Sequence, residues 1–298
     1  MAPKSTDYAG TKAYYDRNAA TIVEVLGSYF NAALVSQAED FATCLDDDLK
    51  YVIATAALAP GQAVLECGSG NGRFARRLLE RLPGLRYSGV ELSSAQVAAA
   101  RSVNPGVDFR EASFEELDFP EAAFDRALFL ESIGYCIDID RLLDGLARVL
   151  KPGALVFIKN PGQKITDYHD YLAHSRSFDP VRREYGFHER SVGIIPDIDF
   201  IAKKFELHGF KLVREEYPFH NDYFYNAAFF RGGMCRQVRT ADKRSLLLDF
   251  TSFDPEGSLS ALGRSHPHYI DYHRRMSGGT ARQPRNRLTG CVVLVFTK

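Results

Sequence analysis

The 298-residue chain has little of what marks a disulfide-rich, zinc-binding or membrane protein. Its five cysteines are an odd number, lie far apart and form no C-x-x-C pair. This argues against a disulfide framework and a zinc site, and favours a reducing compartment. No apolar run approaches the ~18 residues of a membrane span, and the start leads into no apolar signal segment. We therefore expect a cytoplasmic protein.

Neither sign of charge dominates the composition. Lysine and arginine number 37 against 38 aspartates and glutamates, which gives a net charge of −1. Such a balance supplies no general attraction to nucleic acid or to a membrane surface. Hydrophobic residues make up 45% of the chain, enough for the core of one large domain or of one domain with a lid. We expect a small-molecule partner, with no nucleic acid and no membrane.

Residues 63–80 have the pattern of a strand, a tight turn and a helix. An apolar run ends in Glu66 and three alternating glycines, Gly68, Gly70 and Gly72, and helix-forming residues follow. Glycine is needed where φ is positive or where the backbone must approach a ligand closely. The free N–H groups at the start of the helix favour electron-rich ligand atoms. The spacing fits neither the dinucleotide fingerprint nor the P-loop.

A second acid supports a nucleoside site. Glu91 ends the next predicted strand, where a carboxylate can accept both hydroxyls of a bound ribose. The E-x-G-x-G-x-G pattern of residues 66–72, followed by this acid, resembles motif I of the class I S-adenosylmethionine (SAM) dependent methyltransferases. The alternative is a glycine turn and a surface glutamate in another α/β protein.

From residue 63 to 160 strand-like and helix-like segments alternate, which predicts a parallel, doubly wound sheet with its ligand at the carboxyl ends of the strands. A helix over 197–208 and strands over 210–216 and 291–296 follow. The resemblance implies a Rossmann-like α/β fold with a seven-stranded, mostly parallel sheet. Strands are predicted at 63–67, 86–91, 107–110, 124–130 and 154–159.

We expect a helical cap over 1–59, a SAM-binding core over 60–216 and 289–298, and a lid or substrate-binding insertion over 217–288. Residues 161–195 are expected to form a second insertion. The resemblance implies that the cap lies over the cofactor, and the alternative is an amphipathic packing helix. The helical arm could be exchanged between subunits, so we keep a homo-oligomer as an alternative to a monomer.

The resemblance also implies SAM as cofactor and S-adenosylhomocysteine as product. The loop of Gly68, Ser69, Gly70 and Gly72 would cradle the methionine and the ribose. The other expected cofactor contacts are Glu66 at the amino end, Glu91 at the ribose, Leu92, Ser113 and Phe114 around the adenine, and Leu130 at the transfer centre. Ser113 stands where the family often has an aspartate.

Glu131 is the candidate catalytic residue. The segment from Leu130 to Gly134 resembles the carbon-methylating branch, which includes sterol, tocopherol and geranyl diphosphate enzymes. A carboxylate there can stabilise a carbocation or take the leaving proton. Glu131 bonded to backbone N–H groups or to a lid tyrosine is the structural alternative. Methylation of oxygen or nitrogen, and a non-catalytic SAM-binding scaffold or regulator, remain open.

The acceptor is expected to be a small molecule of secondary metabolism, favoured as an isoprenoid such as a prenyl diphosphate or as an aromatic. An aromatic run followed by a basic cluster suits an apolar chain with an anionic head; the alternative is a helix with a solvated cationic face. Mg²⁺ is expected only with a diphosphate, and no protein metal site is expected. Candidate acceptor contacts are Tyr14, Tyr15, Tyr223, Tyr225, Phe229 and Arg231.

Overall fold

The computed structural model describes residues 8–13, 15, 16, 19, 41–164, 198–216 and 287–298, and the backbone of 236–239 and 246–249. Residues 8–13, 15, 16 and 19 are helical and are called the N-terminal segment below. The later helices are α1 (Phe41–Thr55), α2 (Arg73–Arg81), α3 (Ser94–Val103), a short 3-10 helix (Ile133–Tyr135), α4 (Ile139–Val149) and α5 (Ile198–Leu207). The strands are β1 (Ala63–Cys67), β2 (Arg86–Glu91), β3 (Asp108–Glu111), β4 (Phe124–Leu130), β5 (Leu150–Lys164), β6 (Lys211–Glu216), β7 (Arg236–Arg239), β8 (Leu246–Asp249) and β9 (Arg287–Thr297).

Seven strands form one sheet in the order β3-β2-β1-β4-β5-β9-β6. The first five in this order pair in parallel, and β9 runs antiparallel to both of its neighbours. The strand order reverses between β1 and β4, and ligands of doubly wound sheets bind outside the carboxyl ends at such a point. The predicted fold class, a Rossmann-like and mostly parallel sheet, is confirmed.

Both faces of the sheet are covered, which is why β1 is buried along its whole length. Alternate residues of β1 enter different cores: Val64 packs with α1, α2 and α3, whereas Leu65 packs with α4 and α5. Each helix presents a narrow apolar face to the sheet, as Phe74 and Leu78 of α2 illustrate. These two layers fix the positions of the strand ends that carry the candidate site.

The predicted bounds of β1, β2 and β4 agree with the structure, whereas β5 and β9 extend beyond their predicted bounds. β5 continues to Lys164 because it pairs with the extended β9, so residues 161–164 belong to the strand and not to an insertion. Asp46 to Asp48 lie inside helix α1, which is described over Phe41–Thr55. Within 217–288 the strands β7 and β8 pair with each other, and the lid role of that region stays a prediction.

In the part of the chain that is described, no helix combines the length and the apolar composition needed to cross a membrane.

Candidate cofactor and active site

The glycine loop between β1 and α2 is shaped by three positive φ angles: 84° at Gly68, 53° at Gly70 and 71° at Gly72. A Cβ atom on Gly68 would lie 2.5 Å from the Cβ of Ser132, and one on Gly72 would lie 2.7 Å from the Cβ of Ala100. The outer two glycines therefore let the loop pack against the end of β4 and against α3.

Gly70 differs, because a Cβ atom there would meet no heavy atom within 4 Å. Its backbone N–H donates to Oε2 of Glu91 over 2.9 Å. At this positive-φ glycine, which lies at the reversal of the strand order, the open space leaves the backbone accessible and would be occupied by any side chain placed there. This arrangement fits a ligand that approaches the backbone closely.

The Glu91 carboxylate ends β2 and joins it to the glycine loop. Its second oxygen, Oε1, accepts the N–H of Ser93 over 2.9 Å. Burial raises the pKa of Glu91, while the backbone donors of Ser93, Gly70 and Leu92 oppose that rise. A carboxylate fixed by these N–H groups lies where the ribose of a nucleoside is expected.

Glu66 lies deeper, at 3% exposure, and accepts the hydroxyl of Tyr87. Burial, and then the nearby charge of Glu91, raises the pKa of Glu66 to about 8. The two neighbouring carboxylates thus differ in what acts on their pKa, because only Glu91 receives several backbone N–H donors that favour its charged form. The predicted contact between Glu66 and the amino end of the cofactor stays a prediction.

The three residues expected around the adenine follow β2 and β3. The carbonyl oxygen of Leu92 accepts the Lys12 ammonium over 3.3 Å. The hydroxyl of Ser113 accepts the N–H of Glu115 over 3.2 Å, and Phe114 packs edge-on against Phe129, with ring centroids 5.8 Å apart. Phe114 is therefore part of the core, and its contact with an adenine, like that of Ser113, stays a prediction.

Leu130 is the last residue of β4, and Glu131 follows it with a φ of 60°. A left-handed conformation in a residue other than glycine is rare and costs about 1–3 kcal/mol. The Glu131 N–H donates to the Lys159 carbonyl over 2.7 Å, and the hydroxyl of Ser132 donates to the Cys67 carbonyl. These bonds place the strained residue beside the glycine loop.

The N-terminal segment reaches the same edge of the sheet. The hydroxyls of Tyr15 and Tyr135 lie 2.6 Å apart, and their rings meet at 72°. Tyr15 therefore packs on the 3-10 helix that follows Glu131. The other predicted acceptor contacts lie outside the described residues: Tyr14, Tyr223, Tyr225, Phe229 and Arg231.

Sequence reasoning missed a buried ion pair between Asp48 of α1 and Lys159 of β5, two side chains with 0% exposure. The signal was a lysine that follows five apolar residues in a predicted core strand. It also missed the contacts that Lys12 and Asp16 make with the turn after Glu91.

Comparison with known proteins agrees with this geometry. Residues 65–158 match the family model described as a methyltransferase domain. An O-methyltransferase of Aspergillus sclerotiorum is 26% identical over 159 residues, which cover 50% of this chain and 60% of that protein. The sterol 24-C-methyltransferase of Saccharomyces cerevisiae is 27% identical over 133 residues, 43% of this chain and 34% of that protein. The matches thus span less than two thirds of these relatives.

Solved structures share the fold over nearly the whole chain. The [4+2]-cyclase SpnF has a TM-score of 0.65 at 18% identity, with 99% of this chain and 97% of that chain covered. Geranyl diphosphate C-methyltransferase from Streptomyces coelicolor has a TM-score of 0.62 at 14% identity, with 99% of each chain covered. The chain is thus similar to methyltransferase domains over residues 65–158, and it shares the fold of these solved structures.

Proposed function

We propose that this protein transfers a methyl group from SAM to a small-molecule acceptor. The observation that carries the proposal is the open space beside Gly70, whose N–H is bonded to the carboxylate of Glu91. A backbone free of side chains lies next to an acid that can accept ribose hydroxyls. The loop follows β1 at the strand-order reversal, and Glu91 ends the neighbouring strand β2; nucleotides bind at this edge in doubly wound folds.

SAM supplies a reactive methyl group on a sulfonium, so the tasks of the protein are alignment and exclusion of water. Glu91 would hold the ribose, and the loop of Gly68, Ser69, Gly70 and Gly72 would follow the chain between ribose and methionine. Glu66 would lie beneath the amino end. Leu130 would face the transfer centre from the end of β4.

The favoured reaction is methylation of an electron-rich carbon, with Glu131 as the catalytic residue. The π electrons of an acceptor would form the new carbon–carbon bond to the methyl group as the sulfur–methyl bond breaks. The bonding pair would stay on the sulfur of S-adenosylhomocysteine, and the acceptor would be left with the positive charge. A carboxylate nearby stabilises that charge and can take the proton whose loss restores neutrality. The left-handed backbone at Glu131 supports this role, because strain of this kind clusters at functional sites.

Two alternatives remain. The curated relatives include an O-methyltransferase as well as a sterol C-methyltransferase, so transfer to oxygen or nitrogen is the second candidate. A non-catalytic SAM-binding scaffold or regulator is the third. The fold alone does not decide, since one protein that shares it is named a [4+2]-cyclase.

For the acceptor, an isoprenoid such as a prenyl diphosphate is favoured. The Streptomyces coelicolor enzyme was solved in complex with Mg²⁺, geranyl diphosphate and S-adenosyl-L-homocysteine. The aromatic run and the basic cluster that favour such an acceptor here lie outside the described residues. Among the residues that are described, no three His, Cys, Asp or Glu side chains cluster as metal ligands. As part of this proposal, Mg²⁺ would enter only with a diphosphate acceptor.

The direct test incubates the purified protein with SAM that is isotopically labelled in its methyl group, together with geranyl diphosphate, a sterol or a phenol. Labelled product and equimolar S-adenosylhomocysteine are expected with one acceptor class, and the position of the label separates carbon from oxygen. Binding of SAM without turnover on any acceptor would favour the scaffold alternative.

Glu131→Gln tests the catalytic role, with Glu121→Gln in the exposed turn before β4 as the matched control. We expect turnover of the Glu131 variant to fall by about 10²-fold or more, which is the lower end of the rate effect of a positioned acid–base group. Turnover of the Glu121 variant should be unchanged. If the Glu131 variant keeps turnover within a few-fold, the cation-stabilising role is wrong.

A further inference from the structure

Asp16 of the N-terminal segment is bonded to the turn that follows the ribose acid. Its Oδ1 accepts the hydroxyl of Ser93 over 2.6 Å and the N–H of Ala95 over 3.1 Å, with the hydroxyl of Ser94 at 3.3 Å. These partners are 77 to 79 residues away in the chain. The contact is therefore tertiary and links the N-terminal segment to the carboxyl end of β2.

Ser93 passes this contact on to Glu91. The Ser93 N–H donates to Oε1 of Glu91 over 2.9 Å, and the Gly70 N–H donates to Oε2 over the same distance. A continuous hydrogen-bonded path thus runs from Asp16 through Ser93 and Glu91 to the glycine loop. Each step fixes the orientation of the next group, and supporting contacts of this kind hold a binding group in its productive geometry.

Lys12 reinforces the same turn. Its ammonium lies 3.3 Å from Oδ2 of Asp16, 2.8 Å from Oε1 of Glu111 and 3.3 Å from the Leu92 carbonyl. The cation thus anchors Asp16 and binds the backbone between Glu91 and Ser93. Together the two charged residues hold the stretch on which the ribose and the adenine are expected to lie.

Capping of helix α3 does not account for all the contacts of Asp16, although Asp16 accepts the N–H of Ala95 in the first turn of that helix. The Ser93 side chain already caps that helix, because its hydroxyl accepts the N–H of Gln96 over 3.2 Å. The hydroxyl hydrogen of Ser93 remains available, and it is this hydrogen that Asp16 receives. The contact therefore sets the orientation of Ser93 beyond what capping requires.

We propose that Asp16 is a positioning residue of the cofactor site, which acts through Ser93 to fix the Glu91 carboxylate for the ribose of SAM. The inference rests on the proposed function, since it names a further residue of the same site. It predicts that the N-terminal segment contributes to cofactor affinity through a defined bond as well as by covering the site.

The experiment measures the dissociation constant of S-adenosylhomocysteine by calorimetry on the full chain. Asp16→Ala is expected to weaken binding about tenfold, the effect of one hydrogen bond to a charged group. Asp16→Asn keeps the accepting oxygen and is expected to stay within about threefold of wild type. The control is Asp138→Ala, which removes the cap of α4, where the Asp138 side chain accepts the Arg141 N–H over 3.1 Å.

A double-mutant cycle with Glu91→Gln separates positioning from general stability. If Asp16 acts through Glu91, Asp16→Ala should weaken binding little further in the Glu91→Gln background, because the carboxylate that Asp16 positions is already absent there. Additive losses in the double variant, or an Asp16→Ala affinity equal to that of Asp138→Ala, would overturn the inference. Absence of binding by the wild-type protein would instead refute the proposed function itself.

Discussion

The Nζ atom of Lys159 lies 2.5 Å from Oδ1 of Asp48, and neither side chain is exposed to solvent. Lys159 stands in register with Leu130 on one side and with Val293 on the other. Its carbonyl oxygen also accepts the N–H of Glu131 over 2.7 Å. The buried pair therefore joins helix α1 to β5, the strand whose Lys159 carbonyl accepts the N–H of the candidate catalytic residue Glu131.

Replacing one partner of this ion pair is expected to destabilise the fold more than replacing both partners. Asp48→Leu alone leaves an uncompensated buried ammonium and should cost about 3–5 kcal/mol of unfolding free energy. In the Asp48→Leu, Lys159→Met double variant no charge is buried, and most of that loss should be recovered. Urea denaturation of both variants measures the difference. Equal stability of the single and double variants would mean that the pair is not electrostatically coupled.

The outer glycines of the loop are expected to matter for packing. Gly72→Ala places a Cβ atom 2.7 Å from that of Ala100 at a φ of 71°, so both a clash and backbone strain result. Gly106→Ala is the matched control, since its φ is 85° and its surroundings are open. Strain alone should cost about 1–2 kcal/mol in the control, and overpacking should add about 1–3 kcal/mol at Gly72. Similar unfolding free energies for the two variants would refute the close packing.

Glu66 should make stability fall as the pH rises. Burial raises its pKa from 4.5 to about 8, so between these values the folded protein keeps a proton that the unfolded chain has released. Folding is therefore disfavoured progressively as the pH rises through this window. Glu66→Gln removes the ionisation, and its stability relative to wild type should rise from pH 5 to pH 8.

Urea midpoints of wild type and Glu66→Gln at several pH values check this expectation, with the exposed Glu80→Gln as control. A difference between wild type and the Glu66 variant that does not change with pH would contradict it.

The strain at Glu131 can be measured separately from its side chain. Glu131→Ala and Glu131→Gly both remove the carboxylate, but only glycine adopts a φ of 60° without cost. The glycine variant should be about 1 kcal/mol more stable than the alanine variant. Ala122→Gly, at a φ of 49°, should show a gain of the same order and serves as reference. If alanine and glycine at 131 are equally stable, the left-handed conformation is not strained.

Local chemistry predicted the part of the fold that surrounds the glycine loop. β1 is an apolar segment that contains Glu66, and β2 ends at Glu91; a turn follows each strand, so their bounds follow from the local sequence. The length of β5 did not follow, because residues 161–164 are extended only through pairing with β9.

In the candidate site, too, local features were predicted and contacts between distant residues were not. Gly70 and Glu91 were found because a positive-φ turn and an acid at a strand end leave a local pattern. The pairing of Asp48 with Lys159 spans 111 residues, and that of Asp16 with Ser93 spans 77. Single-sequence reasoning has no means to pair charges at such separations, since only the folded sheet brings them together.

The most direct measurement is calorimetric titration of S-adenosylhomocysteine into Gly70→Phe, with wild type and Gly106→Phe beside it. Both glycines have positive φ and open surroundings, so the two variants share the backbone strain and differ only in what the new side chain would fill. We predict tight binding by wild type and Gly106→Phe, and loss of binding in a folded Gly70→Phe. Undiminished binding by Gly70→Phe, or no binding by wild type, would contradict the assignment of the cofactor site.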